Sequence, residues 1–536
     1  MTSTPDARTA IEAGHTALGI ELGSTRIKAV LVDHAHNVLS TGSSAWENQL
    51  VDGRWSYSME AVRQGLQDAY ASLVGEVEAR HGVTPTTYGA LGISAMMHGY
   101  LAFDAAGELL VPFRTWRNVS TGPAAHELSQ LLDVNIPQRW SIAHLHQAIL
   151  DAEPHVGEVA SLTTLAGHVH RMLTGRHVLG VGDASGMFPV DSVAMDWDRR
   201  RVAAYDALIA DRGFDWKLGD LLPEVLVAGQ DAGRLTAEGA HLLDPTGTLQ
   251  PGVPMCPPEG DAGTGMVATN AVAPRTGNVS AGTSIFAMVV LAKAIEGLHE
   301  EIDPVTTPDG SPVAMVHSNN GASELDAWVG MFAEFASLAG LEIPVGRVYD
   351  LLYQHAMTGE ADGGGVLAYN LLSGEPVIGL EVGRPLITHA PDAHLSLAST
   401  TRAQLNAVFA PLRAGMDVLT REGVSLERLL AHGGIFKTEG VAQKVLADAL
   451  RTSVAVGATA GEGGAWGIAV LARFASVVAH EGEAAPSLPE YLDRVVFADA
   501  STSVVDPDPD DAAAFEVFLD RYLAGLDAVR AASTAI

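Results

Sequence analysis

Two stretches of this chain alternate apolar and polar positions on either side of a small-residue turn. Leu18, Ile20, Ile27, Ala29 and Leu31 alternate with their neighbours through residues 17–21 and 27–32, around Gly23, Ser24 and Thr25. That period of two predicts a hairpin of half-buried strands. Val279, Ile285, Ala287 and Val289 repeat the plan around Gly282, Thr283 and Ser284. Glycine lets the backbone approach an anion closely, and successive N–H groups with Ser and Thr hydroxyls supply donors for phosphate oxygens. One such tip alone is an ordinary hairpin turn. Two copies a domain's length apart predict duplicated domains gripping one nucleotide.

Between and beyond the hairpins the period changes. A third strand is expected near Val38, and residues 61–80 place Val62, Leu66, Tyr70, Leu73, Val74 and Val77 on one helical face. Strands follow at 90–94 and 100–103, and residues 183–191 read as another strand after a small-residue turn. Residues 404–419 and 441–450 return to the helical period, and Phe515, Phe518, Tyr522, Leu526 and Val529 predict one last amphipathic helix. Strands alternating with helices indicate an α/β fold with mixed sheets. A Pro-rich joint at 251–258 sets the expected organisation: a disordered tail at 1–16, a first domain at 17–257, a second at 258–480, and an acidic linker with a C-terminal helix at 481–536.

Composition narrows the chemistry. The chain has 536 residues, 47% hydrophobic and 18% charged, enough for sizeable cores. Its formal charge of -32, from 32 basic against 64 acidic residues, argues against nucleic acid or an anionic membrane as partner. The same charge repels a polyanion, so phosphate chemistry here calls for a divalent cation. Cys256 is the single cysteine, which excludes an intrachain disulfide and fits a reducing cytoplasm. Residues 1–16 lack the apolar centre of a signal peptide, and no run is expected to reach the roughly 20 apolar residues of a membrane helix. The expectation is a soluble cytoplasmic protein.

Asp261 sits in Glu259-Gly260-Asp261-Ala262-Gly263-Thr264-Gly265, a carboxylate among small residues after the proline break. It can accept a proton from a substrate hydroxyl, or cap a helix starting at Ala262, or both. Glu21 ends the first strand where the turn would hold phosphates, and a carboxylate there can bind Mg²⁺ directly or through water; a solvated strand end is the plainer reading. Met97, His98 and Gly99 occupy a loop after a strand, where α/β folds place ligand contacts. Trp116, Arg117 and Asn118 combine an apolar plate with polar donors, or are surface packing. Gly433 and Gly434 precede a helix and leave bare backbone for a base to lie against. The pairs His144/His146 and His168/His170 lack partners at metal-ligand spacing, so zinc is rejected, and no Gly-x-x-x-x-Gly-Lys-Ser/Thr string exists. Residues 461–467 are glycine-rich without a phosphate-binding pattern.

Taken together these segments resemble the FGGY carbohydrate kinases. The likeness spans roughly residues 17–475 and runs in order through 19–33, 94–99, 116–118, 183–191, 260–265, 277–287, 369–376 and 431–440. Met97-His98-Gly99 and Asp183-Ala184-Ser185-Gly186 look most like the xylulokinase branch. The resemblance implies two actin-like (ribonuclease H-like) ATPase domains with a central cleft, sugar on the first and nucleotide on the second. It makes Asp261 the catalytic base and gives Glu21 a catalytic, Mg²⁺-binding place. It assigns Met97, His98, Trp116, Asn118 and Asp261 to the sugar. Gly23, Ser24, Thr25, Gly282, Thr283 and Ser284 fall to the phosphates of ATP, and Gly433, Gly434 and Thr438 to its adenine side. Three departures stand out. Glu21 replaces the usual Asp, His432 stands where the first of three glycines is common, and residues 369–376 continue differently after Pro376. The expected activity is ATP-dependent phosphorylation of a ketose, foremost a pentulose. The alternatives are a polyol or hexulose kinase, an actin- or Hsp70-like ATPase, or a sugar sensor. The expected partner is a small-molecule sugar, with a homodimer left open.

Overall fold

A computed structural model describes residues 7–457 and 463–535. The first hairpin forms as β1 (Ala17–Leu22) and β2 (Arg26–Val32), antiparallel, with β3 (Val38–Ala45) continuing the meander. β4 (Ala90–Ala95) runs parallel to β1, and β5 (Glu259–Gly260) parallel to β4. The second hairpin is β6 (Thr276–Ala281) and β7 (Ile285–Val290). Its sheet adds β8 (Asp303–Thr306), β9 (Pro312–Ser318), β10 (Arg428–His432), β11 (Val454–Gly457) and β12 (Thr502–Val505). Reading outward from each hairpin, β3-β2-β1-β4-β5 and β9-β7-β6-β10-β11 have the same order and the same switch from antiparallel to parallel. The duplication seen in two turns therefore extends to two whole sheets.

The strands are buried on both faces, where the alternation predicts one. Leu18, Ile20, Ile27, Ala29 and Leu31 pack in one core with Val62, Leu66 and Leu73 of helix α2 (Met59–His81), while Ala17, Val30 and Val32 join a second core with Ala465 and Ile468 of helix α7 (Gly463–Glu481). Helices on both faces are the usual cover of sheets with parallel strands. Gly19 and Gly92 are register partners on β1 and β4, and a Cβ on them would lie 2.1 Å from the Ala465 carbonyl and 2.7 Å from Ile468. The missing side chains let α7, from late in the chain, lie directly on the first sheet. The second sheet likewise separates two cores: Ile285, Ala287 and Val289 share one with Leu405 and Phe409 of helix α5 (Leu397–Arg421) and Val445 and Leu446 of helix α6 (Val441–Leu450), and Met288 and Val290 share the other with Met266 and Val267 of helix α4 (Asp261–Ala268).

Several expectations are corrected. Within the supposed disordered tail, residues 7–12 form helix α1 (Ala7–Glu12), with Ala10 and Ile11 buried; residues 1–6 lie outside the described residues. The Pro-rich joint does not end the first sheet, because β5 pairs with β4 beyond it. Residues 183–191 hold a helical turn, α3 (Val181–Ala184), and only a two-residue strand at Val190–Asp191. Glycine and small residues tighten there round a buried carboxylate instead of extending. The acidic stretch after 481 is no linker, since it supplies β12 to the second sheet. The final helix is two, α8 (Pro509–Ala524) and α9 (Leu526–Ala535), broken at Gly525. One helix, Gly463–Ala484, is long and apolar enough to cross a membrane by length and composition, contrary to expectation. It contains α7, the core helix packed on both β1 and α4.

Candidate active site

The first turn joins β1 to β2 with Ser24 and Thr25 exposed. Its carbonyls are drawn backward: the Trp46 indole N–H donates to Gly23 O at 2.7 Å, the Tyr57 hydroxyl to Ser24 O at 2.6 Å, and Trp46 N to Thr25 O at 3.2 Å. The two rings stack at 4.1 Å. In the second turn, Gly282 O accepts from Ala322 N at 3.0 Å and Thr283 O from Gly321 N at 2.8 Å. Binding the carbonyls from behind removes the groups that would repel an anion and leaves hydroxyls and the remaining amides at both tips, while the Gly23 and Gly282 N–H groups are taken up within the turns by Arg26 O at 3.1 Å and Ser284 O at 2.9 Å. Gly433 has φ 126°, and a Cβ there would stand 1.9 Å from the Ala281 carbonyl, so the 433–434 turn is fitted against the strand end that leads into the second tip. Gly434 is exposed, with nothing near its Cβ position.

Asp261 is the first residue of α4, with Gly260 rather than Asp261 as the cap. Its Oδ1 accepts from Met97 N at 3.1 Å, which joins the loop after β4 to the end of β5. Asp261 is open to solvent, yet protein crowds it closely enough for burial to raise its pKa above the ordinary value, opposed by the N–H groups of Met97 and Ala262. The carboxylate is thus reachable from solvent while protein stands close around it.

Three more carboxyls surround it. Burial and then the charge on Asp261 push Glu21 up to about 7, against Lys28 directly across the hairpin and the Ala465 N–H at the start of α7. A Cβ on Gly464 would lie 2.2 Å from Glu21 Oε1, so this carboxyl needs a bare helix start beside it. Asp183 is fully buried and pushed up to about 7, chiefly by burial, with the Thr164 hydroxyl donating to Oδ2 at 2.6 Å and no partner for Oδ1 among the described residues. Glu259 accepts from Gly182 N at 3.3 Å and Asp183 N at 2.9 Å, and burial lifts its carboxyl well above the usual range. The charge on Asp261 raises Glu21 and Asp183, so the accessible carboxylate holds the negative charge while its buried neighbours favour protons.

His98 is buried at φ 72°, its Nδ1 3.2 Å from Gly186 O and its ring stacked on Trp140. Burial, then Arg139, hold its pKa well below the usual value, so it is a neutral imidazole whose Nε2 has no hydrogen-bond partner among the described residues. The motifs at 97–99, 183–186 and 259–261 thus meet at one place. Others do not. The Asn118 amide is taken up by Trp55 N at 2.8 Å, Trp55 O at 2.9 Å and Thr115 O at 3.0 Å, so it fastens a loop instead of facing a ligand. The buried Thr438 hydroxyl donates to Asp350 at 2.9 Å and is likewise committed. Trp116 stands 40% exposed beside that loop. Sequence reasoning missed Trp46, Tyr57, Glu259 and Gly464, none of which carries a local signal; only the 461–467 glycines hinted at the last, and Gly461 and Glu462 lie outside the described residues.

Family models of the N-terminal and C-terminal domains of the FGGY carbohydrate kinases match residues 16–267 and 277–476. The chain belongs to the FGGY family. The first boundary places Glu259 to Val267 with the N-terminal FGGY domain, as the pairing of β5 does. Among curated relatives, an autoinducer-2 kinase of Salmonella paratyphi B is 22% identical over 303 residues, 51% of this chain and 50% of that protein. The chain thus spans about half the length of the autoinducer-2 kinases it matches. A xylulose kinase of Haemophilus influenzae is 22% identical over 453 residues, 82% of this chain and 86% of that one. Among solved structures, a xylulose kinase from Rhodospirillum rubrum superposes with TM-score 0.77 at 18% identity, covering 96% of this chain and 99% of that one, which shows that the two-domain FGGY fold is shared.

Proposed function

We propose that this protein transfers the γ-phosphoryl group of MgATP to a hydroxyl of a small sugar, foremost a pentulose. The observation that carries the reading is the carboxylate of Asp261, open to solvent and fastened through Oδ1 to Met97 N beside the buried carboxyls of Glu21 and Asp183. The Asp261 carboxylate accepts the proton of the attacking hydroxyl as the new P–O bond forms and the bond from the γ-phosphorus to the leaving ADP oxygen breaks. The neutral His98 offers Nε2 to a sugar hydroxyl, and the exposed Trp116 beside the Asn118 loop is the proposed plate for a sugar face. Ser24, Thr25, Thr283 and Ser284 donate to phosphate oxygens, the tip glycines give the backbone room to approach, and Gly434 leaves room for the base. Among the described residues no group of three His, Cys, Asp or Glu forms a metal cage. A Mg²⁺ ion brought in with ATP needs only one or two carboxylates beside phosphate and water oxygens, and Glu21, coupled electrostatically to Asp261, meets that demand. Held beside Glu21, such a cation would neutralise phosphate charge, and closure of the two halves would exclude water that otherwise accepts the phosphoryl group.

The names of the similar proteins differ in acceptor, autoinducer-2 against xylulose, so the acceptor is the part to test. A panel of ketoses, aldoses and polyols, read by ADP release, should show turnover stimulated at least tenfold by one pentulose over ATP alone. Equal ATP turnover with every sugar and with none would remove the kinase reading. A best response from a polyol or hexulose would keep the reaction and change the acceptor.

A further inference from the structure

The segment around residues 369–376 has no part in the chemistry above, yet it is built round a charge. Glu375 is fully buried. Its Oε2 accepts from the Ser318 hydroxyl at 2.8 Å, Asn320 N at 3.1 Å and Asn320 Nδ2 at 2.9 Å, and its Oε1 from Asn319 N at 3.1 Å. All four partners are donors, so the arrangement is satisfied by the ionised carboxylate and by no neutral isostere. Burial alone raises its pKa, and these donors oppose the rise.

Those donors belong to the end of β9 and the loop after it, which continues to Gly321 and Ala322. These two are the residues whose N–H groups hold the carbonyls of Thr283 and Gly282. Asn370, from the other end of the same segment, donates to Gly321 O at 2.8 Å. A continuous run of hydrogen bonds thus leads from one buried carboxylate, through one loop, to the back of the second turn.

We infer that Glu375 is a positioning residue for the nucleotide: it fixes loop 318–322, and through it aims the amides of the second turn at the phosphates. The inference rests on that turn binding phosphate. The contacts that reach the loop come from Asn370, Ser373, Gly374 and Glu375.

In Glu375→Gln one acceptor oxygen becomes an N–H₂ facing a buried N–H, so the loop loses a bond and gains a repulsion. MgADP titrated calorimetrically into the purified full chain should bind about tenfold more weakly in Glu375→Gln and about threefold more weakly in Ser318→Ala, which loses one donor. The nucleotide-free melting temperature of Ser318→Ala should stay within about 3 °C of the parent. Thr283→Ala, at the tip itself, is the reference. If it weakens MgADP while both other variants bind as the parent does, the inference fails and the site stands. If all three leave MgADP affinity unchanged, the phosphate site itself is wrong. Should Glu375→Gln not fold, Ser318→Ala decides alone: affinity unchanged contradicts the inference, and affinity lost at a kept melting temperature supports it.

Discussion

At the scale of single residues the account turns on which carboxyl is charged. Asp261→Asn keeps the shape and the Met97 contact but cannot take a proton, so kcat should fall about 10²- to 10⁴-fold, with MgADP affinity within twofold, measured by coupled turnover and calorimetry. Glu21 must be ionised to hold a cation, and its pKa is lifted to about 7. At limiting Mg²⁺ activity should therefore rise with pH through about 7. Saturating Mg²⁺ favours the ionised form and should shift that limb to lower pH, and Glu21→Gln should abolish the shift. Asp183 has an ordinary value of 3.8 and a folded value of about 7. Between them the folded state holds a proton that the unfolded state has lost, so this group lowers stability as pH rises, by up to about 1.4 kcal/mol per pH unit. Asp183→Asn mimics the protonated form. Its melting temperature relative to the parent should climb between about pH 4 and pH 7 and level off above; a difference independent of pH would contradict the assignment.

At the scale of elements, the hairpins were legible because alternation and a small-residue tip are local signals. What stands behind the tips was not. Trp46 and Tyr57 brace the first turn and Gly321 and Ala322 the second, yet nothing near residues 23 or 282 in sequence points to them. Trp46→Phe keeps the stacked ring and deletes the bond to Gly23 O. A hydrogen bond of this kind is worth about 1 kcal/mol, so KM for ATP should rise about fivefold with little change for the sugar. The turn of α3 shows the opposite failure: Asp183, Ala184 and Ser185 read as strand residues, while the fold winds them into a turn whose N–H groups meet Glu259, a partner distant in sequence. Asn118 and Thr438 misled in a related way. A polar side chain in a familiar motif reads as a ligand contact, but only the folded chain shows its bonds already committed to Trp55 and Asp350.

At the scale of the molecule, the duplication was legible and its crossing-over was not. The first sheet is completed by β5 after the proline joint and covered by α7 from near residue 470, so neither half is a simple run of sequence. The second sheet reaches back in turn: Asp303 pairs with Arg139 and accepts from Asn135, and Thr306 bonds Ser185 and Val181 on either side of Asp183. The two halves are thereby tied next to His98, which suits the proposed transfer between two substrates held at once. The most direct test of that claim is one turnover with γ-labelled MgATP and the best sugar of the panel, products resolved by mass. The account predicts label in a sugar monophosphate with the parent chain and its loss, with sugar binding intact, in Asp261→Asn. Label appearing only as inorganic phosphate, or an undiminished sugar phosphate in the variant, would contradict it.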